Sequence, residues 1–135
     1  MIVIKNKFIP FKGYETINLF GILFTRDDFI DPTEYNHESI HSAQMLECMI
    51  LSAVIITAIC IMFNISWWWL LLSIFMYYIQ YGLEYVIIRL FHRKQNDAYH
   101  DVSFEEEAYN NDDNLNYLKH RKVFAWIKYI KLKSN

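Results

Sequence analysis

Between Glu47 and Glu84 the chain contains no aspartate, glutamate, lysine, arginine or histidine. As one helix, those uncharged residues 48–83 would extend about 54 Å, too far for a single crossing of a ~30 Å hydrocarbon core. Split at Asn64-Ile65-Ser66, they make two helices of roughly 25 Å each, lengthened by less polar flanks. A transmembrane helical hairpin is therefore expected. A soluble core is the alternative, but 135 residues can hardly cover two helices that are apolar on all sides. Cysteine is scarce: Cys48 and Cys60 both fall in the first apolar half, so neither a disulfide framework nor a CxxC metal site is indicated. Basic stripes are missing except near the C-terminus, and the net charge is −2, which argues against nucleic acid as a partner. Met1-Ile2-Val3-Ile4 is too short for the apolar region of a signal peptide. Internal repeats and low-complexity linkers are also absent, so one unit spanning 1–135 is expected.

What is present anchors the hairpin. Trp67, Trp68 and Trp69 follow the turn, where an aromatic belt meets the far interface, and Tyr77, Tyr78, Tyr81 and Tyr85 mark the return side. Lys5, Lys7, Lys12 and Arg26 precede the first span, Arg89, Arg93 and Lys94 follow the second, and the turn carries no positive charge. The positive-inside rule places both termini in the cytoplasm of a two-span membrane protein. Glu47 and Glu84 lie at similar depth, at the edge of the bilayer, where ionisable groups are functional suspects unless they simply reach water.

The fold class expected is mainly α, with a small N-terminal β-hairpin in residues 1–30. Its strands are Met1 to Phe11 and Ile17 to Phe24, around a turn at Lys12-Gly13-Tyr14-Glu15. Asp31-Pro32-Thr33-Glu34 is a helix start, with Asp31 as cap, Pro32 at the first helical position and Glu34 at the capping-box position. That helix should run over 32–63 and the second span over 67–91, followed by a polar linker from His92 to Val102. Ser103 and Glu106 read as the capping box of a third helix, which falters at Asn110-Asn111-Asp112-Asp113. A basic amphipathic helix from about Asn114 to Leu132 would lie in the headgroup layer or pack on the first helix.

The first helix carries His37-Glu38-Ser39-Ile40-His41, an HExxH sequence. Two histidines one turn apart project side by side and can grip one metal ion. Glu38, about 100° round the helix, can take a proton from a metal-bound water without ligating. Catalytic zinc needs three protein ligands and a water. His92, His100, His120 and the Glu105-Glu106-Glu107 carboxylates are all available as the third. Gln44 shares the histidine face, as a packing residue or as a support to the ligands. Five histidines are too few for a membrane desaturase. No second helix carries an ExxH half-motif, against di-iron carboxylate chemistry.

An HExxH followed about 60 residues later by Phe104-Glu105-Glu106-Glu107-Ala108-Tyr109 resembles the gluzincin metallopeptidases. The likeness is closest to membrane-integral members such as the CAAX-prenyl endopeptidases and related heat-shock membrane proteases. Those carry an ExxA-Asp motif whose first glutamate binds zinc. The resemblance implies Zn2+ held by His37, His41 and Glu105, with Glu38 as the catalytic base. Glu107 is the next candidate ligand, and Glu106 is accounted for by the cap. Tyr109 stands where the family's aspartate orients a histidine. The expected function is a zinc-dependent membrane metallopeptidase, a hydrolase acting on peptide or membrane-protein substrates at the cytoplasmic face. A β-strand edge around Asn18 to Phe24 would receive the extended peptide. His120, Tyr109, Tyr117 or His100 would stabilise the oxyanion. The alternative is a non-catalytic zinc-binding sensor or scaffold, closed by a fourth protein ligand such as His100.

The topology has a direct check. With Cys48 and Cys60 removed, a Ser66→Cys variant should react with an impermeant thiol reagent from outside the cell only. Labelling from the cytoplasm would invert the arrangement.

Overall fold

The computed structural model describes residues 1–6, 8–9, 16–91 and 98–130. It is mainly helical, with a three-stranded sheet at the N-terminus. Strands β1 (Ile2–Lys5), β2 (Thr16–Leu19) and β3 (Ile22–Thr25) lie in the order β1-β3-β2. β1 runs parallel to β3, with Ile2 opposite Ile22, and β2 runs antiparallel to β3, with Leu19 opposite Ile22. The expected single strand from Ile17 to Phe24 is thus itself a hairpin. Phe20 and Gly21 take φ of 54° and 78°, and Asn18 Oδ1 accepts the Gly21 N–H at 3.1 Å. Two consecutive left-handed residues make the tight turn that suits twisted strands. Apolar residues run on from Leu19 through Phe24, across the turn, and conceal it. The turn expected at Lys12 to Glu15 lies outside the described residues.

Helix α1 spans Pro32–Phe63, as expected. Asp31 Oδ2 accepts the Thr33 N–H at 2.9 Å, and Pro32 occupies the first turn. Glu34 reaches β2 rather than its own cap, accepting the Thr16 hydroxyl at 2.6 Å. Asn64 ends the helix in the left-handed conformation, at φ 50°. The return segment keeps its expected limits but not a uniform winding. Trp67–Phe75 is a 3₁₀ helix that continues into α2 (Met76–Phe91). Ser73 Oγ donates to the Leu70 carbonyl at 2.7 Å, the three-residue reach that this winding presents. At about 2.0 Å per residue the 3₁₀ stretch covers about 18 Å, more than α winding would give the same residues.

Both helical segments are long and apolar enough to cross a membrane. Their outer faces are bare, with Val54, Ile61, Trp68 and Leu90 all at least 64% exposed. The contact between them buries Cys48, Ser52, Cys60 and Ser73, small side chains that let two backbones approach. The apolar surface that a soluble core would hide therefore faces outward.

Below the spans, α3 (Ser103–Tyr109) packs under α1 and α2 through Phe104, which contacts Tyr77 and Trp126 at ring distances of 4.8 Å. The capping box expected for this helix is replaced by a carboxylate from α2. Glu84 accepts the Ser103 N–H at 3.0 Å and the Ser103 hydroxyl at 2.8 Å. The long amphipathic helix expected from Asn114 is also broken. It is a short α4 (Tyr117–His120) and a 3₁₀ turn (Ala125–Tyr129), separated at Phe124 by a φ of 57°. Between them, the Arg121 guanidinium is drawn to the buried Glu107 and the half-buried Glu47, and Trp126 enters the core, so tertiary contacts override local helical pattern. His92 to Asp97 of the expected linker, and Lys131 and Leu132, lie outside the described residues.

Loss of the cap supplied across the fold has a definite consequence. Glu84→Ala should destabilise the protein by about 1–2 kcal/mol, the scale of a lost helix cap, measured by denaturation in detergent. Unchanged stability would mean that α3 does not depend on α2.

Candidate metal centre

α1 presents His37 and His41 on one face, and α3 brings Glu105 up to them. The two Nε2 atoms are 3.0 Å apart, and Glu105 Oε2 lies 3.4 Å from that of His37 and 3.5 Å from that of His41. A tetrahedral ion with bonds of about 2.0–2.1 Å needs ligand–ligand edges of about 3.3–3.4 Å. The triangle has the size of one face of such a site. All three side chains are nearly enclosed, and together they can hold a metal ion.

The neighbours decide which atoms face inward. His37 Nδ1 lies 3.3 Å from Asp112 Oδ2, and an ionised carboxylate only accepts, so Nδ1 carries the proton and Nε2 the lone pair. His41 Nδ1 lies 2.9 Å from Gln44 Oε1. The Gln44 amide is oriented by its other end, where Nε2 donates to the Phe104 carbonyl and to Glu107 Oε2, both at 3.0 Å. His41 therefore also donates outward and turns its Nε2 lone pair inward. The Tyr77 hydroxyl closes the same edge, 3.2 Å from Nδ1. Tyr81 donates to Glu105 Oε1 at 3.0 Å, while Oε2 is buried without a hydrogen-bond donor. Burial pushes the Glu105 carboxyl up, but a proton shared with His37 or His41, together with the Tyr99 hydroxyl, outweighs it and holds the group well below the usual carboxylate range. A cation in place of that proton acts in the same direction. Three acceptor atoms meet at one point, an arrangement that attracts a cation.

Glu38 stands beside the cluster, on the wall of a cavity of about 500 Å³. Burial holds its carboxyl above the usual range, against the pull of His41 and His37. β2 forms the facing wall, fastened to α1 by Asn18, which donates to the Glu38 carbonyl at 2.8 Å and to Ser42 Oγ at 2.9 Å. β2 is an outer strand, whereas Ile22 to Phe24 lie in the central strand, so the free edge is shorter than expected. Tyr77, Tyr78, Tyr81 and Tyr99 make up much of the remaining wall.

Other expectations sort clearly. Glu107 does not join the ligand triangle. It is fully buried, and its oxygens accept from Arg121 at 2.7 and 3.1 Å, from Tyr117 at 2.8 Å and from Gln44. Arg121 also grips Glu47 through both Nη atoms, so Glu47 and Glu84 both hold the fold together. His100 lies against the Tyr109 ring at 4.4 Å, and Tyr109 against His37 at 4.6 Å. His120 is exposed at the end of α4, Tyr117 is engaged by Glu107, and His92 lies outside the described residues. Asp112, three residues beyond Tyr109, sets a carboxylate against His37 Nδ1. That turn is held by Asn36 Nδ2, which donates to the carbonyls of Asn111, Asp112 and Asn114 at 2.8–3.2 Å. In the sequence Asp112 marked only a place where a helix falters, Asn18 only one end of a strand edge, and Tyr99 carried no functional signal.

Removing Asp112's charge tests the orientation. Asp112→Asn should weaken divalent-metal affinity about 10–100-fold, the usual effect of losing a group that orients a ligand, measured by chelator competition. Affinity equal to wild type would show that His37 is oriented by something else. Comparison with protein-family models, curated proteins and solved structures finds no match to this chain.

Proposed function

We propose that the chain is an integral-membrane zinc metallopeptidase of gluzincin type, working at the cytoplasmic membrane face. The observation that carries this reading is the inward convergence of three lone-pair atoms, from His37, His41 and Glu105, on a triangle of 3.0–3.5 Å edges. Two imidazoles and one carboxylate are a donor set suited to zinc. Bound there, zinc supplies a Lewis acid for a peptide carbonyl and brings the pKa of a water to about 7.

The chain's own groups complete the chemistry. Glu38 is inside the cavity but outside the ligand triangle, and its raised carboxyl range brings it nearer the working pH of a base. It takes the proton of the attacking water and returns it to the leaving amine. The outer edge of β2, across the cavity from Glu38, offers backbone groups to an extended substrate. Asp112 and Gln44 keep both imidazoles in the tautomer that the site requires. Exposed apolar faces on both long helices support insertion in a bilayer, which would set the cavity at its surface.

A sensor or scaffold would close the site with a fourth protein ligand. Among the described residues the group has three, which favours the open, catalytic form.

Glu38→Gln separates the two. The amide keeps the size and loses the basicity, so zinc content and fold should persist while cleavage of a co-expressed membrane substrate falls ~10²–10⁴-fold. A cellular phenotype unchanged in Glu38→Gln but defective in His37→Ala would mean that metal matters and hydrolysis does not.

A further inference from the structure

We propose that Glu107 is a positioning residue for His41, acting through the amide of Gln44. The proposal rests on the reading of His37, His41 and Glu105 as a metal site. Glu105 and Glu107 are two residues apart on a short helix and therefore project in different directions. Glu105 enters the ligand triangle, whereas Glu107 reaches α1 nearly one turn beyond His41, at Gln44. The amide spans that gap, with Nε2 3.0 Å from Glu107 Oε2 and Oε1 2.9 Å from His41 Nδ1. Both Gln44 and Glu107 are fully buried.

The orientation of the amide is dictated at both ends. A flipped Gln44 would set its NH2 against the imidazole N–H and its oxygen against two acceptors, the Phe104 carbonyl and Glu107. Glu107 itself cannot turn away. Arg121 Nε and the Tyr117 hydroxyl hold Oε1, and Arg121 Nη2 shares Oε2 with Gln44. Arg121 is also paired with Glu47, so one positive charge faces two negative ones. The surplus negative charge reaches His41 along the amide. It strengthens Gln44 Oε1 as an acceptor and hence His41 Nε2 as a donor to a metal, as a carboxylate bonded directly to the ring would. The two imidazoles are thus supported in parallel, His37 by Asp112 directly and His41 by Glu107 at one remove.

The test uses the full chain in detergent, with Zn2+ as the probe and chelator competition as the readout. Glu107→Gln leaves Arg121 paired with Glu47, and Gln44→Met keeps the volume while deleting both hydrogen bonds. Each should weaken Zn2+ binding about 10–100-fold. The double variant should bind no more weakly than Gln44→Met alone, because Glu107 has no other route to His41. Co2+ bound in place of Zn2+ should show the same altered ligand-field spectrum in both single variants. Losses that add in the double variant, or affinities equal to wild type, overturn the proposal. Should Glu107→Gln fail to fold, Gln44→Met decides alone, with wild-type affinity in a folded protein as the contrary result. Wild-type chain without Zn2+ affinity would overturn the metal reading, and this proposal with it.

Discussion

The Arg121 guanidinium, held between Glu47 of α1 and Glu107 of α3, is the interaction on which the rest of the structure depends. It fastens the C-terminal segment to both elements that build the site. Breaking a buried ion pair from one side costs about 3–5 kcal/mol, because the remaining charge is left without water or partner. The same arginine explains why the C-terminal segment is not one helix. A continuous amphipathic helix would carry Arg121 on its outer face. The chain instead leaves helical geometry at that residue, and Trp126 packs against Phe104 a few residues later.

A second layer of constraint is electrostatic. Two imidazole lone pairs and a carboxylate oxygen within 3.5 Å repel one another unless a cation sits among them. Each is held there by a partner outside the triangle, Asp112 for His37, Gln44 for His41 and Tyr81 for Glu105. A surface helix with two solvated histidines would need none of these. The placement of Glu84 follows the same logic at the neck of α3, where a carboxylate from α2 replaces a local cap and so fixes the height of Glu105 against α1.

The boundary between polar and apolar halves runs through α1 itself. Its first turns bury Asn36, His37, His41 and Gln44, while beyond Glu47 the outer face is Leu, Ile and Val. One uninterrupted helix thus carries the site and an apolar segment long enough to cross a membrane, with the site less than two turns from the uncharged run.

Local signals were legible in the sequence because their causes are local. Asp31-Pro32 set the start of α1, Asn64 its end, and the i, i+4 spacing of His37 and His41 put both rings on one face. The uncharged run from Cys48 to Leu83 determined that two long apolar helices would pair. Glu105 came from a resemblance, and the fold brings it to both histidines while turning Glu107 away. The tight turn at Phe20-Gly21 escaped because Leu19, Phe20, Ile22, Leu23 and Phe24 form one nearly continuous apolar run across it. Asp112, Gln44 and Glu84 took their roles only in three dimensions. A carboxylate or amide chooses its partner by distance and burial, and residues as far apart as His37 and Asp112, or Glu84 and Ser103, meet only when the helices have packed.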